Sequence, residues 1–532
     1  MIALPQHTSA LIVGAGPSGL MMAAQLLRYG IIPTIIDTRK GPTNQSKALA
    51  VQARSLEIYR QMGVIDKVIS GGKRAAGASF SLDGEAFATL GWDSIQQTET
   101  PFPFVFFYQQ SKNERLLLDF LTLNCCPVYW QTTLISFKQN PGSVEAQLQT
   151  VDANETITCD YVVGADGAHS VVRKQLGIPF TGDTYQHKFY LADVQINSTL
   201  RPDYVQLFMS KKYFAGFFPM PEEQSFRIVG SIPDELENKE DLQLEDVLPH
   251  LNKITGIEIA VLHNSWFTLY KLHHRVAEKF FDHRCFLVGD AAHIHSPVGG
   301  QGMNTGLQDA YNLAWKLAGV LHHQIAPKIL HSYADERMPL AKDLLNSADR
   351  IFNVITSRNF FSNLFKRFVM PAALNYVWKK EKFRTEFFKR ISQTGINYRN
   401  SRLNLHLSHN TQIKAGDRLP YLEIYDEKKQ ETTDIHAWCS KPGFTLITIG
   451  IIQEQYLFTL AKWITQRHNG VINFFHLPPS DKNQHILDKF EVRPGHRKAL
   501  IIRPDMYIGY INDAIDIELM DNYLVDVVGF VG

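Results

Sequence analysis

The chain has 532 residues, with 45% hydrophobic and 20% charged side chains and a formal net charge of +1. That length makes about two to four domains, and the composition is that of an ordinary soluble globular protein. A charge so near zero supplies no global field to draw in nucleic acid or an anionic membrane.

Met1 to Ala10 has neither a basic region nor an apolar core, so no secretory signal is read there. No run of apolar residues is long enough for a transmembrane helix, and no integral membrane association is expected. The first element is the apolar strand that ends in Leu11-Ile12-Val13-Gly14-Ala15-Gly16-Pro17-Ser18-Gly19. Strand, glycine turn and helix in that order form a dinucleotide-binding unit. Gly14 permits the tight turn, Gly16 lets backbone reach a pyrophosphate, and Gly19 allows close helix–strand packing. Ile31 to Ile36 reads as the second strand, and Asp37 closes it. A carboxylate about 20 residues past the glycines suits ribose hydroxyls rather than a 2′-phosphate.

Further along, Tyr161 to Gly164 is a buried strand that runs into Asp166-Gly167, with Ser170 and Arg173 at helical spacing beyond. Residues 184–270 alternate apolar and polar, the pattern of a sheet with one covered face. They read as a substrate domain, completed by residues near 78–108. The aromatic runs Phe102 to Tyr108 and Phe217-Phe218-Pro219-Met220 suit an apolar pocket wall or ordinary core equally well.

The richest stretch is Leu287-Val288-Gly289-Asp290, followed by His293 and His295 and then Pro297-Val298-Gly299-Gly300-Gln301-Gly302-Met303-Asn304. A strand passes one carboxylate and becomes a glycine-rich loop at a helix start. Such backbone can approach a flat ligand closely, and the helix terminus favours negative charge. No metal is expected, because no His-Glu-x-x-His, Cys-x-x-Cys or facial-triad spacing occurs. No Gly-x-Ser-x-Gly elbow is present either.

Residues 345–400 read as helical and mix Phe with Arg and Lys, suited to packing on the preceding unit or to contact with a membrane surface. From about residue 408 the chain turns strand-rich. Cys125, Cys126, Cys159, Cys285 and Cys439 are odd in number and scattered, so no disulfide framework and a reducing, cytoplasmic setting are expected.

The three turns near 14, 166 and 289, in that order, resemble the class A FAD-dependent aromatic hydroxylases, the para-hydroxybenzoate hydroxylase-like flavoprotein monooxygenases. Gln45 to Glu57, Gln110 to Leu117, His273 to Glu278 and Gln308 to Leu317 extend the resemblance over most of residues 8–400. It implies an α/β fold. A Rossmann-like FAD-binding domain would occupy 1–183 and 271–405, with the β-sheet substrate domain, 184–270, inserted. Residues 408–532 resemble the thioredoxin-like C-terminal domain of the phenol and polyketide hydroxylase branches, without its redox dithiol.

The resemblance also implies roles. Asp37 would hold the adenosine ribose, while Arg54 and Gln110 would contact pyrophosphate and ribityl. Asp290, after Gly289, would bind the ribityl chain. Gly302, Met303 and Asn304 would lie against the isoalloxazine. Asp166, Gly167 and Arg173 are associated with FAD and NADPH. Backbone at Pro297, Gly299 and Gly300 would neighbour a flavin C4a-hydroperoxide. Apart from the resemblance, the aromatic run offers Phe217, Phe218 and Pro219 as a substrate-pocket wall, with ordinary core the equal alternative. Lys47 stands where the family commonly has Arg, so a bidentate fork becomes a point charge.

The activity implied is hydroxylation of a phenolic or polycyclic aromatic substrate by O2 and NADPH, or NADH, with non-covalent FAD in a monomer or homodimer. Two alternatives fit the same motifs: a monooxygenase acting on an antibiotic or a quinone, and a non-catalytic, redox-sensing FAD dimer. No carboxylate occurs between Ala48 and Ala53 to activate a phenol, which leaves the substrate base unassigned.

Overall fold

The computed structural model describes residues 3–92, 95, 99–239, 241–295, 300–356, 365–427 and 429–531. Pro297 and Gly299 lie outside the described residues.

The first unit is built on a sheet with spatial order 281–282, 285–287, 154–164, 7–13, 34–37 and 128–130. The strands His7–Val13, Thr34–Asp37, Val128–Trp130, Asn154–Gly164 and Cys285–Leu287 run parallel to one another. His7–Val13 is central and apolar on both faces from Ala10 onward, as a strand covered on both sides must be. The helix Pro17–Arg28 leaves its end, and Gly302–Leu321 packs against that helix. Gly302–Leu321 is buried over nearly its whole length, with Asn304, Asp309, Asn312 and Lys316 each hydrogen-bonded inside the protein.

The second sheet has eight strands: 293–294, 260–277, 180–197, 225–231, 214–219, 204–209, 77–82 and 85–91, in that spatial order. Its two long members, Phe180–Asn197 and Ala260–Ala277, pair antiparallel and reach back to the strand His293–Ile294 beside the glycine loop. Domain limits at 183/184 and 270/271 therefore fall within continuous strands. Gly77–Leu82 joins this sheet beside Tyr204–Met209, whereas Val105–Phe107 pairs with Ala50–Val51 and Lys73–Ala75 in a small separate sheet. One face of the large sheet is filled by the helix Leu244–Thr255.

The C-terminal unit holds a five-stranded sheet in the order 405–407, 508–512, 497–502, 444–450 and 472–477. Phe444–Gly450 and Ile472–Leu477 are parallel across the helix Glu454–Arg467, and the next two strands run antiparallel. That is a thioredoxin-like arrangement. Cys439 is buried and free, and burial pushes its thiol up to about 12. Among the described residues, no helix is long and apolar enough to cross a membrane.

Candidate active site

The three turns meet. Val13, Gly164 and Leu287 stand in register on adjacent parallel strands, so all three chains leave the sheet at one edge. Ala165 N–H donates to the Val13 carbonyl at 2.8 Å, and Val288 N–H to the Gly164 carbonyl at 2.9 Å. Gly14 has φ +104°, and a Cβ there would stand 2.4 Å from the Ala165 carbonyl oxygen. Only glycine meets both demands. Cβ atoms at Gly289 and Gly306 would each come 2.3 Å from Ser18 Oγ, so the third turn closes directly on the first helix. Arg173 ties the second turn to the third: its guanidinium donates to the carbonyls of Ala291 and Ala168, both at 2.8 Å.

Around this knot some backbone is left open. A Cβ built at Gly16, Gly167 or Gly302 would meet nothing within 4 Å. Gly16 also caps the helix Pro17–Arg28 with no side-chain bond to its first turn, so first-turn N–H groups remain for an anion. Asp290 is exposed to solvent, with His293 and Lys47 as the charges acting on it. Burial raises its carboxyl, against the pull of His293 and Lys47. Asp166 accepts from the N–H groups of Val171 and Val172 through one oxygen, and its other oxygen is buried with no partner among the described residues. Its carboxyl is also raised by burial, opposed first by Ser170. Open glycine backbone, an uncapped helix start and two carboxylates with spare acceptor capacity fit a dinucleotide bearing hydroxyls and a pyrophosphate.

The remaining predicted residues divide. Asp37 accepts from Ala15 N–H at 2.7 Å and from Arg39, whose guanidinium also reaches Glu114. Gln110 holds the segment that follows the strand Thr34–Asp37, accepting from Ala48 N–H and donating to Glu114. Asn304 is a latch: it donates to the carbonyls of Ala50 and Gly300, and accepts from Gln52 N–H and Ser55 Oγ. Met303 beside it is half-buried, and Gly300 has φ +61° against Ala50.

Two readings are corrected. Arg54 is not turned to the glycine turns. It is 1% exposed, donates to Glu57 and to the Asp505 carbonyl, and lies beside the rings of Tyr311 and Tyr507. It is the seat of the C-terminal unit. Phe217 is not a pocket wall, because strand alternation turns it into the core under the helix Leu244–Thr255. Phe218, on the opposite face, meets Phe107 of the first unit with centroids 6.1 Å apart, and Pro219 is buried.

Sequence reasoning passed over the residue that binds these parts together. Asp309, in the middle of the buried helix, accepts from Gly289 N–H, from His293 Nε2 at 2.6 Å and from Arg337 Nε at 2.7 Å. Its carboxyl is held far below the usual range because His293 and Arg337 outweigh the cost of burial. Arg337 continues to the Thr305 carbonyl and the Tyr398 hydroxyl. Two charged residues, Asp309 and Lys316, on one long buried helix were the available signal.

Comparison with known proteins agrees with this geometry. A family model described as an FAD binding domain matches residues 7–348. A 6-methylpretetramide 4-monooxygenase of Streptomyces rimosus is 32% identical over 69% of this chain, and the match spans 65% of that enzyme. Pentachlorophenol 4-monooxygenase of Sphingobium chlorophenolicum is 30% identical over 78% of this chain and 76% of its own length. Among solved structures, an anhydrotetracycline hydroxylase from Streptomyces rimosus superposes with a TM-score of 0.78 at 24% identity, over 99% of this chain and 100% of that one. An aklavinone-11 hydroxylase in complex with FAD and aklavinone gives 0.80 at 21% identity, with the same coverage. The chain thus belongs to the class A FAD-dependent aromatic monooxygenases.

Proposed function

We propose that the protein uses non-covalently bound FAD, NADPH and O2 to hydroxylate a phenolic or polycyclic aromatic compound. The observation that carries this reading is the meeting of three turns, from residues 14, 166 and 289, around open glycine backbone. When bound, FAD supplies hydride acceptance and oxygen activation. The chain supplies position and surroundings. The first helix and Gly16 take the pyrophosphate, Asp37 the adenosine ribose and Asp290 the ribityl hydroxyls. Asp166, Gly167 and Arg173 form the wall between them, while Gln110 holds the adjoining segment. Backbone at Pro297, Gly299 and Gly300 is assigned to the reacting edge, with Gly302, Met303 and Asn304 behind it.

Asn304 donates to the Gly300 carbonyl and so holds that residue in place. Phe107 and Phe218 give an apolar boundary that keeps water from the reacting groups. The described residues carry one strand–glycine turn–helix unit of this kind, so the nicotinamide cofactor reaches the site through a surface groove. All five cysteines are free, which suits a reducing cytoplasm.

The test is NADPH oxidation across a panel of phenols, naphthols and tetracyclic compounds, with hydrogen peroxide measured in parallel under labelled O2. The reading predicts faster oxidation with at least one aromatic compound, and a product bearing one labelled oxygen. Oxidation that yields only hydrogen peroxide, with no labelled product in any case, contradicts it.

A further inference from the structure

Residues 365–390 present two unlike sides. Met370–Trp378 and Glu381–Ile391 are helices, and a single π-type turn, Phe365–Val369, leads into the first of them. On the inner side Trp378 packs edge-on against Trp92 and Phe387, with ring centroids 6.0 and 5.6 Å apart, and Phe388 is buried. Met370–Trp378 lies against Glu85–Gly91, the edge strand of the large sheet.

On the outer side Phe365, Val369, Ala372, Ala373 and Tyr376 are all exposed. Steps of four, three and three to four residues put them in one row along a helical segment. The large ones are well out in water: Phe365 is 43% exposed, Val369 50% and Tyr376 64%. A contiguous apolar row of this kind is a contact surface. Charge is concentrated in the same place. Residues 365–390 hold eight Lys or Arg and two Glu, in a chain whose net charge is +1. Lys379, Lys380 and Lys382 stand exposed where the row ends, and none meets a carboxylate among the described residues. Lys380 Nζ lies 4.6 Å from the centre of the Tyr376 ring, so apolar row and cationic cluster are continuous.

Those two properties together select the occupant. A second copy of this face would set three lysines against three lysines. A folded partner would need carboxylates fixed opposite each flexible lysine stem. A bilayer needs no such match, because anionic headgroups gather wherever the lysines sit, and its interface accepts an aromatic and aliphatic row beside them. We propose that this face docks on the surface of an anionic lipid bilayer. Phe365, Val369 and Tyr376 enter the headgroup boundary, and Lys379, Lys380 and Lys382 reach the lipid phosphates. The contact is peripheral, since no helix among the described residues is long and apolar enough to cross a membrane. The rest of the chain is net negative, so the field that holds this face turns the others away. Docking of this kind needs no particular chemistry at the flavin site.

The test is co-sedimentation of the FAD-loaded protein with vesicles of phosphatidylcholine, or of phosphatidylcholine and phosphatidylglycerol in equal parts. The wild type should bind the anionic vesicles about tenfold more strongly or better, and lose that preference as salt rises. Lys379→Gln, Lys380→Gln and Lys382→Gln made together should abolish the preference. Val369→Ser with Tyr376→Ser should weaken binding to the anionic vesicles about tenfold at low salt. All five positions are exposed, so FAD content and melting temperature should match the wild type in both variants. Wild-type protein that stays in the supernatant with anionic vesicles overturns the docking face, as does binding that neither set of replacements changes. A dimer that the serine pair dissolves, with no vesicle binding, also overturns it and assigns the face to a second copy.

Discussion

At the scale of single residues, the glycines of the first turn separate folding from binding. A methyl group at Gly14 meets the Ala165 carbonyl and a left-handed φ, so Gly14→Ala should destabilise the apoprotein by about 2 kcal/mol or more. Gly16 has ordinary φ and empty space beside it. Gly16→Ala should leave the apoprotein melting temperature unchanged yet lower FAD affinity, read by fluorescence titration. Equal effects on both quantities in the two variants would refute the division. Asp290→Ala should likewise lose FAD affinity with little loss of fold, because its side chain is exposed and makes no hydrogen bond among the described residues. Gly14 and Gly16 were legible in the sequence because a glycine turn between an apolar strand and a helix is a local pattern, readable without knowing what packs around it. Arg54 and Phe217 were not. Which way an arginine or a strand phenylalanine points depends on elements far along the chain, Asp505 and Tyr507 in one case and the helix Leu244–Thr255 in the other. Arg39 was missed for the same reason, since its partner Glu114 lies 75 positions away.

At the scale of elements, the join between flavin unit and C-terminal unit is ionic and dry. Glu336 accepts from Arg503 at 2.6 and 2.9 Å and from Lys316 at 2.8 Å, and Arg503 also donates to Asp505. All are buried. Removing one member strands the others, so Glu336→Ala should cost about 3–5 kcal/mol in chemical denaturation. A loss below about 1 kcal/mol would show that the join tolerates an unpaired charge. His436 adds a pH dependence at the same join. It lies among Glu57, Arg418 and Arg54, with Nε2 2.9 Å from the Leu419 carbonyl, and burial pushes its imidazole down to about 4. In the unfolded chain it takes a proton near pH 6.5. The unfolded state therefore binds more protons between about pH 6.5 and 4, and stability falls as pH drops through that window. His436→Gln should remove up to about 3 kcal/mol of that fall, measured as the difference in denaturation free energy between neutral and mildly acidic pH. Identical pH profiles would contradict the assignment. The strand-rich character of the C-terminal unit could be read from its apolar runs; this ionic join could not, because its members are spread from residue 316 to 505.

At the scale of the whole molecule, one geometric fact organises the rest. Parallel strands far apart in sequence end in register, and their turns close on one another through Ser18, Ala165 and Arg173. The glycine pattern and its order made the fold class readable. The domain limits were less readable because Phe180–Asn197 and Ala260–Ala277 run unbroken from the substrate sheet toward the cofactor loop. That continuity makes substrate face and cofactor turns one body. Titration of the apoprotein with FAD tests this most directly. The account predicts a yellow complex with a single FAD per chain, whose affinity falls when Gly16 or Asp290 is replaced, although the two positions are far apart in sequence. A polypeptide that stays colourless with FAD in excess, or holds it equally well after both replacements, would contradict the account.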